Sequence, residues 1–439
     1  MKQIKIEDVS LSLIREKLKK PFGFKGRHIE ELWQSVCAIK TGDFTAVCPA
    51  TQSVLWSDGN VFEAHTPDES NTLMYNTTRY ALELIKGRTF ITPDLLIDSL
   101  LAPLRDYADT VCKRKVKTTF LLNSLVGVDI ALWSLYAREN GINSFDGIIP
   151  DYARDALSCR HDRLAHIPLI SYNVTDKEIK KILDAKTGIL KIKIGNCVDK
   201  TSHERDMKSM LEWDKERLLA IHRIAQEYET DLTKNGKVAY YLDANGRYDT
   251  KNRLWELVYF MDKHKILDRT AIIEEPFDEE TLNNSDIFVG DFPVAINADE
   301  SAHSEEDLAH RIKQGFGSVA LKPIAKTLSV SFKMASAMKK AGGQCLCADL
   351  TVNPYLAEWN KQFASRISPL SALNTGCVEV NGNENYETWG EQTRLLPGKI
   401  KYKDIINGCF ECDGEFYKNS GELFSKNGYF DTAMANFEK

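Results

Sequence analysis

The chain has 439 residues, 43% of them hydrophobic and 27% charged, with a formal net charge of −6. That is a soluble globular composition with material for a sizeable core, and it lacks the dense basic cluster that nucleic acids attract. The amino-terminal "MKQIKIEDVSLSLIREKLKK" has no apolar signal-peptide core, and no stretch approaches the roughly 18 to 20 apolar residues of a membrane span. A cytoplasmic protein without nucleic-acid or membrane partners is therefore expected. The ten cysteines are dispersed, and the close pairs Cys345/Cys347 and Cys409/Cys412 lack a second CxxC or a histidine pair, so reduced thiols are expected rather than a zinc site.

Taken in chain order, residues 1–125 read as a small α+β unit. "LWQSVCAIKTGDFTAVCPA" predicts a hairpin turning at Thr41-Gly42-Asp43, and "TRYALELIKG" and "PDLLIDSLLAPLRDYADTV" predict helices. The apolar helix "SLVGVDIALWSLYAREN" leads out of that unit. From about residue 166 short apolar strands recur: "HIPLISYNV", "ILKIKIG", "VAYYLDANG", "TAIIEEPF", "VAINADES", "SVALKPIA", "CLCADLTV" and "GCVEVNG". Helix-length amphipathic segments lie between most of them. Eight strands with helical crossovers fit a parallel (β/α) barrel over residues 126–385. A doubly wound open sheet is the competitor, but the glycine-rich phosphate turn that such sheets usually carry is absent. Residues 386–439 lose the rhythm and read as a tail folded back over the other parts.

In such barrels the chemistry sits where strands end. That edge carries Lys191 and Lys193, then Asp243 and Asn245, Glu274, Asp299, Lys322, Asp349 and Glu379. Three successive strands ending in carboxylates would repel one another unless a divalent cation sat among them, and oxygen-only ligands favour Mg²⁺, with Mn²⁺ an alternative. Helix capping and turn formation could account for "DANG" or "ADES" singly, less readily for all three in register. Lys191 and Lys193 share a strand face. Beside a cation and Lys191, Lys193 should have a lowered pKa, which would make it a general base. The plain alternative is two lysines snorkelling to solvent.

"KIK", "DAN", "EEP", "DES" and "LKP", in this order and at strand ends, resemble the enolase superfamily, in particular the mandelate racemase and muconate lactonizing enzyme group. The resemblance covers most of the chain. It implies an α+β capping domain, a modified (β/α)₇β barrel, and a tail rejoining the cap. It further implies metal ligands Asp243, Glu274 and Asp299, an acid/base pair Lys193 and Lys322, and a role for Lys191 in assisting catalysis and touching the substrate carboxylate. Glu275 and Glu300 are expected on the opposite strand face. No histidine ends a predicted strand, which favours the muconate lactonizing subgroup over the mandelate racemase one.

Departures from the group's pattern concern specificity. Lys193 and Asp243 are 50 positions apart, and "CVDKTSHERDMKSMLEWD" reads as an insertion after the second strand. The eighth strand offers Glu379-x-Asn381 where dipeptide epimerases carry Asp-x-Asp. Asn245, Asp349, Glu379 and Asn381 are the candidate substrate-binding residues of the barrel, joined by Phe22 and Phe24 of the cap. Two segments, Phe22 to Lys25 and Val198 to Trp213, are expected to roof the site. The expected activity is Mg²⁺-dependent removal of a proton α to a carboxylate through an enediolate, giving racemisation or epimerisation of an amino acid derivative or dipeptide. Dehydration or cycloisomerisation of an acid sugar is the alternative, and a barrel that binds metal and anion without turnover a third reading. A small-molecule carboxylate is the expected partner, and a homo-oligomer is left open.

Overall fold

A computed structural model describes residues 2–24, 27–197, 202–397 and 404–437, with the side chains of residues 22–28 outside that description. The cap is a three-stranded antiparallel meander, β1 (Asp8–Phe24), β2 (Arg27–Lys40) and β3 (Thr45–Gln52), turning between β2 and β3 at residues 41–44 as the Thr-Gly-Asp stretch predicts. Three long helices back it: α1 (Pro67–Ile85), α2 (Pro93–Val111) and α3 (Thr118–Glu139). Thr66 starts α1 with a reciprocal capping box to Glu69 and a proline at the first turn.

Helix α3 crosses residue 125, where the sequence suggested a boundary, and packs on α1, α2 and the cap strands. It is also long and apolar enough to cross a membrane by length and composition, contrary to the sequence reading, but it is buried inside the protein. Its small and apolar residues serve close packing: a Cβ on Gly127 would fall 2.6 Å from Cys37 Sγ.

Eight parallel strands follow: β4 (Arg163–Ile167, resuming after Pro168 at Leu169–Ile170), β5 (Ile189–Lys193), β6 (Ala239–Asp243), β7 (Thr270–Glu274), β8 (Ala295–Ala298), β9 (Ser318–Leu321), β10 (Gln344–Cys347) and β11 (Gly376–Glu379). The first part of β4 pairs with β11 and its continuation pairs with β5, so the sheet closes on itself. Proline, with no N–H to donate, sits where the strand changes partners. The crossovers are α4 (Asp176–Asp184), α5 (His203–Ala225), α6 (Lys251–Lys263), a short helix at Glu279–Asn283, α7 (Glu305–Lys313), α8 (Leu328–Lys340) and α9 (Pro354–Ala364). This is the parallel (β/α) barrel expected from the rhythm of the sequence, in the (β/α)₇β form that the resemblance implies. Its interior is a small apolar plug including Ala165, Ile167, Ile189, Ala239, Tyr241, Ile272 and Leu346. The charged strand ends continue those same inward-facing rows.

The tail does two things. Strand β12 (Cys409–Glu411) adds antiparallel to β4, and α10 (Tyr429–Phe437) packs against the cap strands. All ten cysteines are free thiols.

Candidate active site

Register sets the level of the site. Lys193 on β5 lies opposite Asp243 on β6, Asp243 opposite Glu274 on β7, and Glu274 opposite Asn297 on β8. A cleft of about 990 Å³, open solvent included, lies above them at the carboxyl ends of the strands. Lys191, Lys193, Asp243, Asn245, Asp299, Lys322, Asp349, Glu379 and Asn381 all line it. Glu274 does not; it is fully buried beneath. Phe22 and Phe24 pair with Ile29 and Arg27 across the β1–β2 hairpin, but their side chains lie outside the described residues. The same hairpin contributes Ile29 and Leu32 to the cleft wall.

The lysines and carboxylates form two ionic clusters, one around Lys191 and Lys193 and one around Asp299. Lys191 Nζ lies 3.1 Å from both Asp243 Oδ2 and Glu274 Oε1, and 3.3 Å from Glu379 Oε2. Lys193 Nζ donates to Asp243 Oδ2 at 2.6 Å and Asn245 Oδ1 at 2.5 Å. On the opposite wall Lys322 Nζ donates to Asp299 Oδ2 at 2.6 Å and sits 4.5 Å from the centre of the Trp56 ring. Since β9 stands four strands from β5 in an eight-stranded barrel, Lys193 and Lys322 face each other across its mouth.

Burial alone would lower the pKa of Lys191, but Glu274, Glu379, Tyr241 and Asp243 together hold it well above the ordinary lysine value. Lys322 is likewise raised, chiefly by Asp299 against its burial. Lys191 and Lys322 are thus held charged, because each is matched by carboxylates. Asp243 is held low despite burial by Lys193 and Lys191, and Asp299 by Lys322 and Lys326. Glu274 is pushed well above the carboxyl range, by burial first and then by Asp243 and Asp299 against the pull of Lys191. It is the carboxyl of the three that keeps a proton most readily.

Among the described residues no three Asp, Glu, His or Cys side chains already enclose a metal-sized gap. The donor set nevertheless fits a hard divalent cation: it is all oxygen, buried, and carried on adjacent strands. Lys191 Nζ already places a positive charge between Asp243 and Glu274. Asp299 Oδ1 is buried and accepts no hydrogen bond, although Lys326 Nζ is 3.1 Å away.

At the eighth strand, Glu379 accepts from Asn381 Nδ2 at 2.8 Å and from the Asp349 backbone N–H at 3.0 Å. Asp349 is raised to about 6 by burial and by Glu379. Two expectations need correction. Glu300 lines the cleft rather than facing away, because β8 ends at Ala298 and the chain has left strand geometry; its Oε1 accepts from Asn245 Nδ2 at 3.0 Å. Glu275 does turn aside, accepting the Asp299 N–H at 2.7 Å. The Val198 to Trp213 segment does not roof the cleft where it is described; residues 198–201 lie outside the described residues. From His203 it is the first half of α5, capped by Ser202 and anchored by buried Met207, Met210 and Leu211. Trp213 ties it to the cleft, edge-on to the lining Tyr172 at 5.5 Å.

Sequence reasoning missed several site residues. Tyr241 and Asn297 both donate to Glu274 Oε2, the latter at 2.6 Å. Each is two positions before a named carboxylate, so strand alternation alone would have found them. Lys326 is fully buried and holds the Asp299 turn by donating to the carbonyls of Asp299 and Ala302 at 2.5 and 3.0 Å. Trp56 and Arg247 carry no local signal and join the cleft only through the fold.

No protein-family profile matches the chain, and no curated protein matches it in sequence. Solved structures do match. A dipeptide epimerase from Enterococcus faecalis, complexed with Mg and the dipeptide L-Leu-L-Tyr, is 16% identical, with a TM-score of 0.64 over 93% of this chain and 97% of that one. The L-Ala-D/L-Glu epimerase from Bacillus subtilis gives 16% identity and a TM-score of 0.64 over 93% and 96%. A muconate lactonizing enzyme from Pseudomonas fluorescens, complexed with muconolactone, gives 15% and 0.64 over 93% and 94%. At this identity the likeness is one of fold, and it runs through cap, barrel and tail alike: the chain has the fold of the mandelate racemase/muconate lactonizing enzymes of the enolase superfamily.

Proposed function

We propose that the chain is an enolase-superfamily enzyme that moves a proton on the carbon α to a substrate carboxylate, as a racemase or epimerase of a small carboxylate such as an amino acid derivative or dipeptide. One observation carries the reading: Lys193 and Lys322 end strands on opposite walls of a single cleft, each hydrogen-bonded to a carboxylate at 2.6 Å. A substrate held between them presents one face of its α-carbon to each amine. Proton removal requires a neutral lysine, so either amine must first lose its proton or its carboxylate partner's pull. Lys191, deeper and pinned by three carboxylates, supplies fixed positive charge toward the substrate carboxylate. A Mg²⁺ or Mn²⁺ ion held by Asp243, Glu274 and Asp299 would supply positive charge against the negative charge that develops on the deprotonated substrate. The enzyme would work in the cytoplasm on a small-molecule substrate.

The non-catalytic reading has one observation in its favour, that every candidate ligand carboxylate is already matched by lysine or a hydrogen-bond donor. Proton exchange in heavy water separates the two. Given a stereoisomeric pair that is a true substrate, the wild type exchanges the α-proton of both isomers. Lys193→Ala loses exchange with one isomer and Lys322→Ala with the other, each by about 10⁴-fold, the top of the range for a general base. Release of water instead of interconversion indicates a dehydratase. Wild-type rates in both single variants would overturn the mechanism.

A further inference from the structure

Each lysine of the cleft has a carboxylate partner. Arg247 does not. It lines the cleft, half-buried, and among the described residues its guanidinium takes part in no hydrogen bond or ion pair.

Its position is fixed by backbone rather than by a counter-charge. Arg247 N–H donates to the Ala244 carbonyl at 3.1 Å, and the residue forms an isolated antiparallel bridge with Phe277. Its side-chain stem lies against Gly195, just past β5: a Cβ there would come within 2.6 Å of Arg247 Cβ, and Gly195 has φ +82°. Next to that glycine, the Ile194 carbonyl accepts the hydroxyl of Tyr172, another cleft residue, at 3.1 Å. The uncharged lining is largely apolar, with Ile29, Leu32, Leu55, Leu169 and Leu350. Apolar walls strengthen any ion pair formed between them.

We infer that Arg247 is a recognition site for a second carboxylate on the substrate, distinct from the one beside the reacting carbon. A guanidinium fork matches a planar carboxylate in a two-bond pair, and a single unmatched positive charge suits a monoanionic group. The substrate class is then a dicarboxylate. This rests on the proposed function for which end of the substrate reacts, but it is testable by binding alone.

The experiment is calorimetric titration of the wild type, Arg247→Gln and Arg247→Lys with α,ω-dicarboxylates of four to eight carbons and with the monoamide of each. In the wild type at least one dicarboxylate should bind on the order of 10- to 100-fold tighter than its monoamide, the scale of a charge-assisted pair. That ratio should fall to about one in Arg247→Gln and survive in part in Arg247→Lys. No dicarboxylate preference in the wild type, or a preference undiminished in Arg247→Gln, overturns the inference. The same compounds, incubated with the enzyme in heavy water, separate this result from the fate of the proposed function. Preference without α-proton exchange keeps the carboxylate site and removes the reaction; exchange without preference does the reverse.

Discussion

Lys326→Met tests how the Asp299 wall of the cleft is held together. Lys326 is fully buried, so its ammonium cannot reach water. It donates to the carbonyls of Asp299, Ala302 and Ala320 at 2.5, 3.0 and 3.5 Å and lies 3.1 Å from Asp299 Oδ1. Methionine keeps the apolar stem and removes all of these. Each buried carbonyl left unmet costs about 1–3 kcal/mol, and breaking a buried ion pair about 3–5 kcal/mol. The two overlap, the Ala320 contact is long, and Lys322 still neutralises Asp299, so the expected loss is about 3–5 kcal/mol. The assay is urea unfolding followed by tryptophan fluorescence, beside Lys333→Met as control. Lys333 pairs with Asp98 at the surface and should cost no more than about 1 kcal/mol. If Lys326→Met shifts the midpoint no further than Lys333→Met, the buried ammonium is not what holds the Asp299 turn.

Two further outcomes are expected. Mn²⁺ titrated into the protein and followed by its electron paramagnetic resonance should bind the wild type and lose at least about tenfold in affinity in Asp299→Asn, since one of three anionic ligands is gone; equal binding by both would place the ion elsewhere. Asp349 is raised to about 6 by burial and Glu379, against roughly 3.9 unfolded. The stability this contributes is therefore fully present below pH 3.9 and lost as pH rises through 6. Asp349→Asn should flatten the fall in unfolding free energy between pH 4 and 6, and an unchanged slope in the variant would contradict the assignment.

The barrel was legible because its strands are short apolar runs at regular spacing, and because period-two alternation carries the inward row through Tyr241 to Asp243 and Asn297 to Asp299. The gathering of charged residues in one cleft at the strand ends was legible for the same reason. What escaped is non-local. β1 was not anticipated because its charged residues hide the alternation of a strand with one solvated face. Lys326 and Glu300 lie past their strand ends, where alternation no longer says which way a side chain points. Arg247 and Trp56 come to the cleft from a loop and from the cap. That Lys191 is held charged also escaped, because the carboxylates that hold it come from β6, β7 and β11.

The cap draws on both ends of the chain: α10 packs on strands that precede the barrel. Strands β1 to β3 are made before the barrel, yet the helix at Tyr429–Phe437 that packs on them is made after it. At roughly 5–20 residues per second, the interval is on the order of tens of seconds. During that time the part of the meander that α10 packs on lies open, although α1 to α3 already back the sheet, next to a barrel whose first strand cannot be closed until its eighth arrives. Assembly of this protein is thus a problem of custody during synthesis as much as of final stability, and chaperone occupancy of the nascent cap is where that should show.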